Sequence, residues 1–231
     1  MPASAGGTDA ATGSGGAPPP PPMGEKPEWW ASSAVVGLMG FGTTTMIAGL
    51  TNLPTPYSQG FAGNWVVYGM ALAFGGVAQL IAGIIALRKG NLFAGSAFMG
   101  YGAFWLAYTQ LASTLNVGGN PAAFYGIAGF AFIWMLFTFS FMINAPKHGW
   151  GITLVFVFLF FSFVALVVKF WSLASNLGGC TNAVDLCGPF AFNAAANWLV
   201  GGIIILTGFI AWYVATAQLT ESQYGRKVLP H

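Results

Sequence analysis

Residues 149–168 read GWGITLVFVFLFFSFVALVV, with no charge from Gly149 to Val168. A helix of roughly 20 apolar residues spans the hydrocarbon core of a bilayer. Backbone polar groups in lipid must be satisfied within the segment, so the stretch reads as a transmembrane helix. Five more stretches share this character, and the expected spans are 31–51, 64–87, 92–116, 121–144, 149–175 and 190–217. The spans are apolar nearly all round. That disfavours a β-barrel, whose strands alternate every second residue over about 10 residues.

Composition agrees with this reading. Hydrophobic residues make up 56% of the chain and charged residues 5%, where a soluble domain carries about 25% charged residues. The fold class is therefore an all-α membrane protein with six transmembrane helices per protomer, embedded in the lipid bilayer. Residues 1–30 form a Pro/Gly/Ala-rich tail with no apolar run, a composition expected to stay disordered. It lacks the basic start and apolar stretch of a signal peptide. Residues 31–217 form the membrane domain and 218–231 a C-terminal tail. A net charge of +2 gives no basis for a nucleic-acid partner.

The connections alternate in charge. Arg88 and Lys89 lie between spans 2 and 3, Lys147 and His148 between spans 4 and 5, Lys26 in the N-terminal tail, and Arg226 and Lys227 in the C-terminal tail. The other connections hold no Lys or Arg, and Asp185 is their sole charge. The positive-inside rule puts both termini in the cytoplasm. Cys180 and Cys187 then fall in the last external loop, where a disulfide is permitted. A metal or redox pair is disfavoured there because no His or further Cys lies nearby.

Small residues recur within the spans: Gly37, Gly40, Gly42, Gly69, Ala73, Gly75, Gly76, Gly95, Gly100, Gly102, Gly126, Gly129, Gly201, Gly202 and Gly208. In lipid such residues let helices approach closely, so most read as packing seams. The spans contain no Asp or Glu, which argues against a proton relay of carboxylates. With no intramembrane His, no acid pair and no Cys–His pair, the chain does not read as an enzyme, and nothing in it calls for a cofactor or a metal. Gln79 lies deep in span 2 and is read either as interhelical glue or as a path-lining amide. Lys169 is the one charge within a span, ~30 Å from Gly149 at 1.5 Å per residue. It reads as a snorkelling residue or as an anion attractor at the outer mouth.

Several blocks resemble one known family. Gly37-Leu-Met-Gly-Phe-Gly-Thr-Thr-Thr45 is close to its GLMGFGMTT, and Phe74-Gly-Gly-Val-Ala-Gln-Leu-Ile-Ala-Gly83 to YGGIAQIFAG. Arg88-Lys-Gly-Asn91 is close to KKGN, Tyr101-Gly-Ala-Phe-Trp-Leu106 to YGSFWL, and Gln223-Tyr-Gly-Arg-Lys-Val-Leu-Pro230 to QFGRTVLP. The blocks keep the family's order across roughly residues 34–230, and the chain is similar to the acetate uptake transporters of the succinate–acetate permease type. The resemblance implies six helices, cytoplasmic termini, a homohexamer in the plasma membrane, and a separate solute pathway in each protomer. It also implies a narrow gate of a Phe, a Tyr and a Leu. These match Phe41, Tyr101 and, in span 5, Phe160, with Leu159 as the alternative. Spans 1, 3 and 5 run in one direction and place Phe41, Tyr101 and Phe160 at depths agreeing within ~3 Å. If Phe160 faces the pathway, Lys169, nine residues on, faces away from it.

The implied solute is a small monocarboxylate such as acetate, with succinate a second candidate. Tyr101, Thr44 and Thr45 are candidate donors beside the gate, the threonines lying on the Phe41 face. One block departs from the family. Where its signature reads NPAPLGL, this chain has Ser32-Ser-Ala-Val-Val-Gly-Leu38, so Ser32 or Ser33 becomes the candidate helix cap and hydroxyl donor. Two other functions compete: a channel for ammonia or another small solute, since the gate has no charge to impose sign, and a non-transporting membrane subunit docking through Pro18–Pro22.

Overall fold

The structure, a computed structural model, describes residues 31–55, 61–114, 121–177 and 194–230. The N-terminal tail and both cysteines lie outside the described residues. Among those described, all regular structure is helical. Helix α1 is Ala34–Leu50. Helix α2 runs through three consecutive stretches, Phe61–Met70, a π-helical Ala71–Ala78 and Gln79–Arg88. Helices α3, α4, α5 and α6 are Leu92–Thr114, Pro121–Met142, Trp150–Leu177 and Ala194–Tyr224, with a short 3-10 turn, Ala145–His148, before α5.

Four stretches are long and apolar enough to cross a membrane: Val66–Arg88, Pro121–Met142, Trp150–Ser175 and Ala195–Tyr224. Two expected spans are less clear-cut. Helix α1 is apolar but has 17 residues. Helix α3 has 23 residues, but Gly95, Ser96, Gly100, Gly102, Thr109 and Gln110 dilute its apolar character. These two helices carry Phe41 and Tyr101.

The helices form a ring. Helix α1 packs on α2 and most extensively on α6, α2 on α3, α6 on α5, and α5 on α4. Aromatic rings close the circle between α3 and α4: Phe104 stacks on Phe130 at 5.6 Å, and Tyr101 lies 5.3 Å from Phe137.

Glycines set the closest seams. A Cβ on Gly42 would lie 2.7 Å from the Gly208 carbonyl oxygen, and one on Gly49 3.0 Å from that of Gly201. The α1–α6 backbones therefore approach more closely than any side chain allows. Gly40 meets the Phe74 carbonyl in the π-helical stretch in the same way. Gly69, Gly126, Gly129 and Gly202 have nothing within 4 Å of a Cβ. They are not seams within the protomer, because their helical phase turns them to its outer surface.

Ser33 stands at the α1 N-cap without a side-chain cap bond. Its hydroxyl instead donates to the Ala82 carbonyl at 2.8 Å, tying α1 to α2, while Ser32 Oγ accepts from the Ala34 N–H at 3.3 Å. Helix α6 continues to Tyr224, into the residues expected to form the C-terminal tail. Apolarity ends near residue 217, but helix propensity does not. Gly225, with φ 65°, closes the helix by donating to the Glu221 carbonyl. The chain then turns back, and the Tyr213 hydroxyl donates to the Pro230 carbonyl at 2.9 Å.

Candidate functional site: two cavities joined at one ring of side chains

Two cavities lie on the axis of the ring. The proximal one, beside Asn91, His148 and Gln218, has a volume of about 150 Å³. The distal one, bounded by Asn52, Leu111 and Phe170 at the far end, has about 300 Å³. Each of three helices supplies one continuous stripe to both cavities at three- and four-residue spacing, as a single helix face requires. On α1 the stripe is Ala34, Leu38, Phe41, Thr45 and Ala48, continued by Asn52 just past the helix end. On α5 it is Ile152, Val155, Phe156, Leu159, Ser162, Phe163, Leu166 and Phe170.

Phe41, Tyr101 and Leu159 line both cavities and stand between them. They are 4%, 3% and 5% exposed. The Phe41 and Tyr101 ring centroids are 5.4 Å apart at 55°. Phe160 is not part of this arrangement. One residue from Leu159 is a 100° turn in a helix, and that turn carries Phe160 to the Phe139 ring of α4, 5.8 Å away. The expectation of a wholly aromatic ring gives way to two rings and a leucine.

Hydrogen bonding revises the expected donors. The Tyr101 hydroxyl lies 2.8 Å from Thr138 Oγ1, whose own hydrogen goes to the Trp134 carbonyl at 2.7 Å. Tyr101 must therefore donate to Thr138, and its hydrogen is committed. Thr45 lines the distal cavity but donates to the Phe41 carbonyl at 2.7 Å, the back-bonding usual for hydroxyls in helices. Thr44 is fully buried, faces Gly75 rather than either cavity, and its Oγ1 has no hydrogen-bond partner. Neither Ser32 nor Ser33 lines a cavity.

Gln79 lines the proximal cavity, is 1% exposed, and its Oε1 has no hydrogen-bond partner. A buried amide left open costs free energy unless something occupies it. The orientation of its O and N is an assignment, so the same group can present N–H to a solute. The residue follows directly on the π-helical stretch, a distortion frequent at functional sites.

Trp105 has no place among the sequence-based candidates. It lies in the distal cavity wall, 4% exposed, with its indole Nε1 unpartnered. The signal was its position four residues after Tyr101, on the same helical face. No Asp, Glu, Lys or Arg lines either cavity.

Replacing Thr138 with Val should leave the Tyr101 hydroxyl without its acceptor. The expected cost is about 1 kcal/mol, read as a lower thermal midpoint for the purified protein. An unchanged midpoint would show that this bond carries no weight.

Helices long and apolar enough to cross a membrane, enclosing two cavities that share three lining residues, mark an integral membrane protein. Residues 15–230 match the GPR1/FUN34/yaaH family, and the chain belongs to that family. It is 34% identical over 203 residues to the succinate-acetate/proton symporter SatP of Escherichia coli, covering 87% of this chain and 94% of that one. It is 32% identical to ammonia transport outward protein 2 of Saccharomyces cerevisiae, covering 84% and 63%, and 28% identical to acetate permease A of Emericella nidulans, covering 87% and 65%. A solved structure of the bacterial acetate channel SatP superimposes with a TM-score of 0.70 at 29% identity, over 87% of this chain and 98% of that one.

Proposed function

We propose that the protein is a membrane channel or transporter for small monocarboxylates such as acetate, with Phe41, Tyr101 and Leu159 as its gate. The observation that carries this reading is the pair of cavities meeting at those three side chains, all within one chain. A pathway complete within one protomer suits the homohexamer implied by family resemblance, in which each copy conducts separately. All six helices then cross the plasma membrane, with both termini cytoplasmic, as the charge pattern requires.

The gate excludes hydrated ions by its apolarity. The solute sheds water against Gln79 on one side and Trp105 on the other. A neutral donor offsets desolvation without holding the anion so tightly that it cannot leave. Acetate, with one carboxylate and one methyl group, matches single donors set in apolar walls.

The register of α5 gives the first test. Leu159→Ala should raise the rate of labelled acetate entry into proteoliposomes about tenfold, while Phe160→Ala should change it less than twofold. The tenfold figure corresponds to about 1.4 kcal/mol off the barrier. The reverse ranking would move the gate to Phe160. Gln79→Leu, which keeps the volume and removes the amide, should cut uptake several-fold at low acetate. Undiminished uptake would confine Gln79 to packing.

An ammonia pathway is the second reading. The lining carries no fixed charge, and the Tyr101 and Thr45 hydrogens are already committed, features that suit a small neutral solute as well as an anion.

A further inference from the structure

The one-residue register of α5 also relocates Lys169. From Phe160 it is nine residues, near 180°, and it would face away from the pathway. From Ser162, which lines the distal cavity, it is seven residues, within about 20° at 100° per residue. Lys169 thus stands at the Ser162 edge of the lining face, beside the cavity wall rather than in it. Its Nζ donates to Asn52 Oδ1 at 2.9 Å and lies 6.0 Å from the Phe170 ring centroid. Asn52 and Phe170 both line the distal cavity. Through Asn52, the ammonium is one side chain from the distal cavity.

Its surroundings leave the charge available. The Asn52 amide nitrogen donates to the Ala48 carbonyl at 2.9 Å, which fixes the Asn52 oxygen toward the lysine. That bond uses one of three ammonium hydrogens. Among the described residues no carboxylate contacts Lys169. Of the seven Lys and Arg, Lys26 precedes α1 and Arg88, Lys89, Lys147, Arg226 and Lys227 belong to the opposite end. Among the described residues, Lys169 is the sole Lys or Arg at the distal end.

The geometry points to Lys169, held by Asn52, as a specificity-determining cation at the distal rim, collecting small monovalent carboxylates ahead of the gate. This inference rests on the monocarboxylate reading above. A cation beside a low-dielectric cleft raises the local concentration of anions. Set at the rim rather than in the constriction, it attracts the solute without trapping it. It also disfavours ammonium and other cations, supplying the sign that the gate lacks.

The test is the concentration dependence of labelled acetate uptake into proteoliposomes at low and high ionic strength. In wild type the half-saturating acetate should rise with ionic strength, because salt screens the rim charge. Lys169→Met should raise it about tenfold at low salt, change the saturated rate less than twofold, and lose the salt response. Lys169→Arg should restore wild-type behaviour. A wild type insensitive to salt, or a Met variant with wild-type half-saturation, would overturn the inference. A second arm needs no transport: the part of the tryptophan fluorescence that Trp105→Phe removes should be quenched less by iodide in the Met variant, while its quenching by neutral acrylamide holds. Equal iodide quenching would overturn the charge role. If wild type takes up no acetate but the iodide difference persists, the monocarboxylate reading falls and the anion-collecting rim stands.

Discussion

Gly42→Leu is expected to abolish the folded protein. A Cβ at this position would stand 2.7 Å from the Gly208 carbonyl oxygen and 2.8 Å from the Trp212 backbone nitrogen. Neither is the flexible end of a side chain, so relief requires α1 and α6 to separate. That pair is one of the two most extensive helix contacts in the ring. Overpacking a well-packed site typically costs about 1–3 kcal/mol, and a backbone clash at the main seam exceeds that range. The expected result is loss of a monodisperse peak in detergent. Gly202→Ala is the control: no atom lies within 4 Å of its Cβ, and alanine is the better helix former. If both variants purify alike, close α1–α6 packing does not hold the ring together.

The second large effect concerns the gate. Phe41→Ala should increase acetate entry by at least about tenfold, again about 1.4 kcal/mol of barrier, and should admit bulkier carboxylates such as benzoate. The Phe41 ring occupies the only point shared by the two cavities on α1, so its removal joins them. Truncating a buried phenylalanine also costs stability, about 3–5 kcal/mol, and the variant must be shown to be folded. A folded Phe41→Ala protein with wild-type rate and selectivity would remove the ring from the gate.

The sequence predicts the helices well because span length and apolarity answer to one solvent, the bilayer. The expected 121–144 span lies against Pro121–Met142 and 149–175 against Trp150–Leu177. It predicts less where a second influence acts. Helix α6 outruns its apolar span because the helical hydrogen-bond pattern needs no lipid. The π-helical turns of α2, where Gly40 packs against the Phe74 carbonyl, are revealed by no periodicity.

At the site, Phe41 and Tyr101 are legible from the Gly-Phe-Gly and Tyr-Gly-Ala-Phe-Trp-Leu blocks. The choice between Leu159 and Phe160 is not, since both lie in an unbroken apolar run and only the angle about α5 separates them. The angle of Lys169 relative to the cavity is hidden for the same reason. Hydroxyl roles are hidden more deeply. Whether Tyr101 offers a hydrogen to a solute depends on Thr138 of α4, 37 residues away, and Thr44 loses its place by facing Gly75.

The most direct test of a carboxylate pathway through Phe41, Tyr101 and Leu159 is labelled acetate uptake into proteoliposomes by wild type and Leu159→Trp, both shown to be folded. Filling the constriction with an indole should block passage. The account predicts saturable uptake by wild type and uptake at the level of empty liposomes by Leu159→Trp. Wild-type uptake no greater than empty liposomes, or equal uptake by the two proteins, would contradict it.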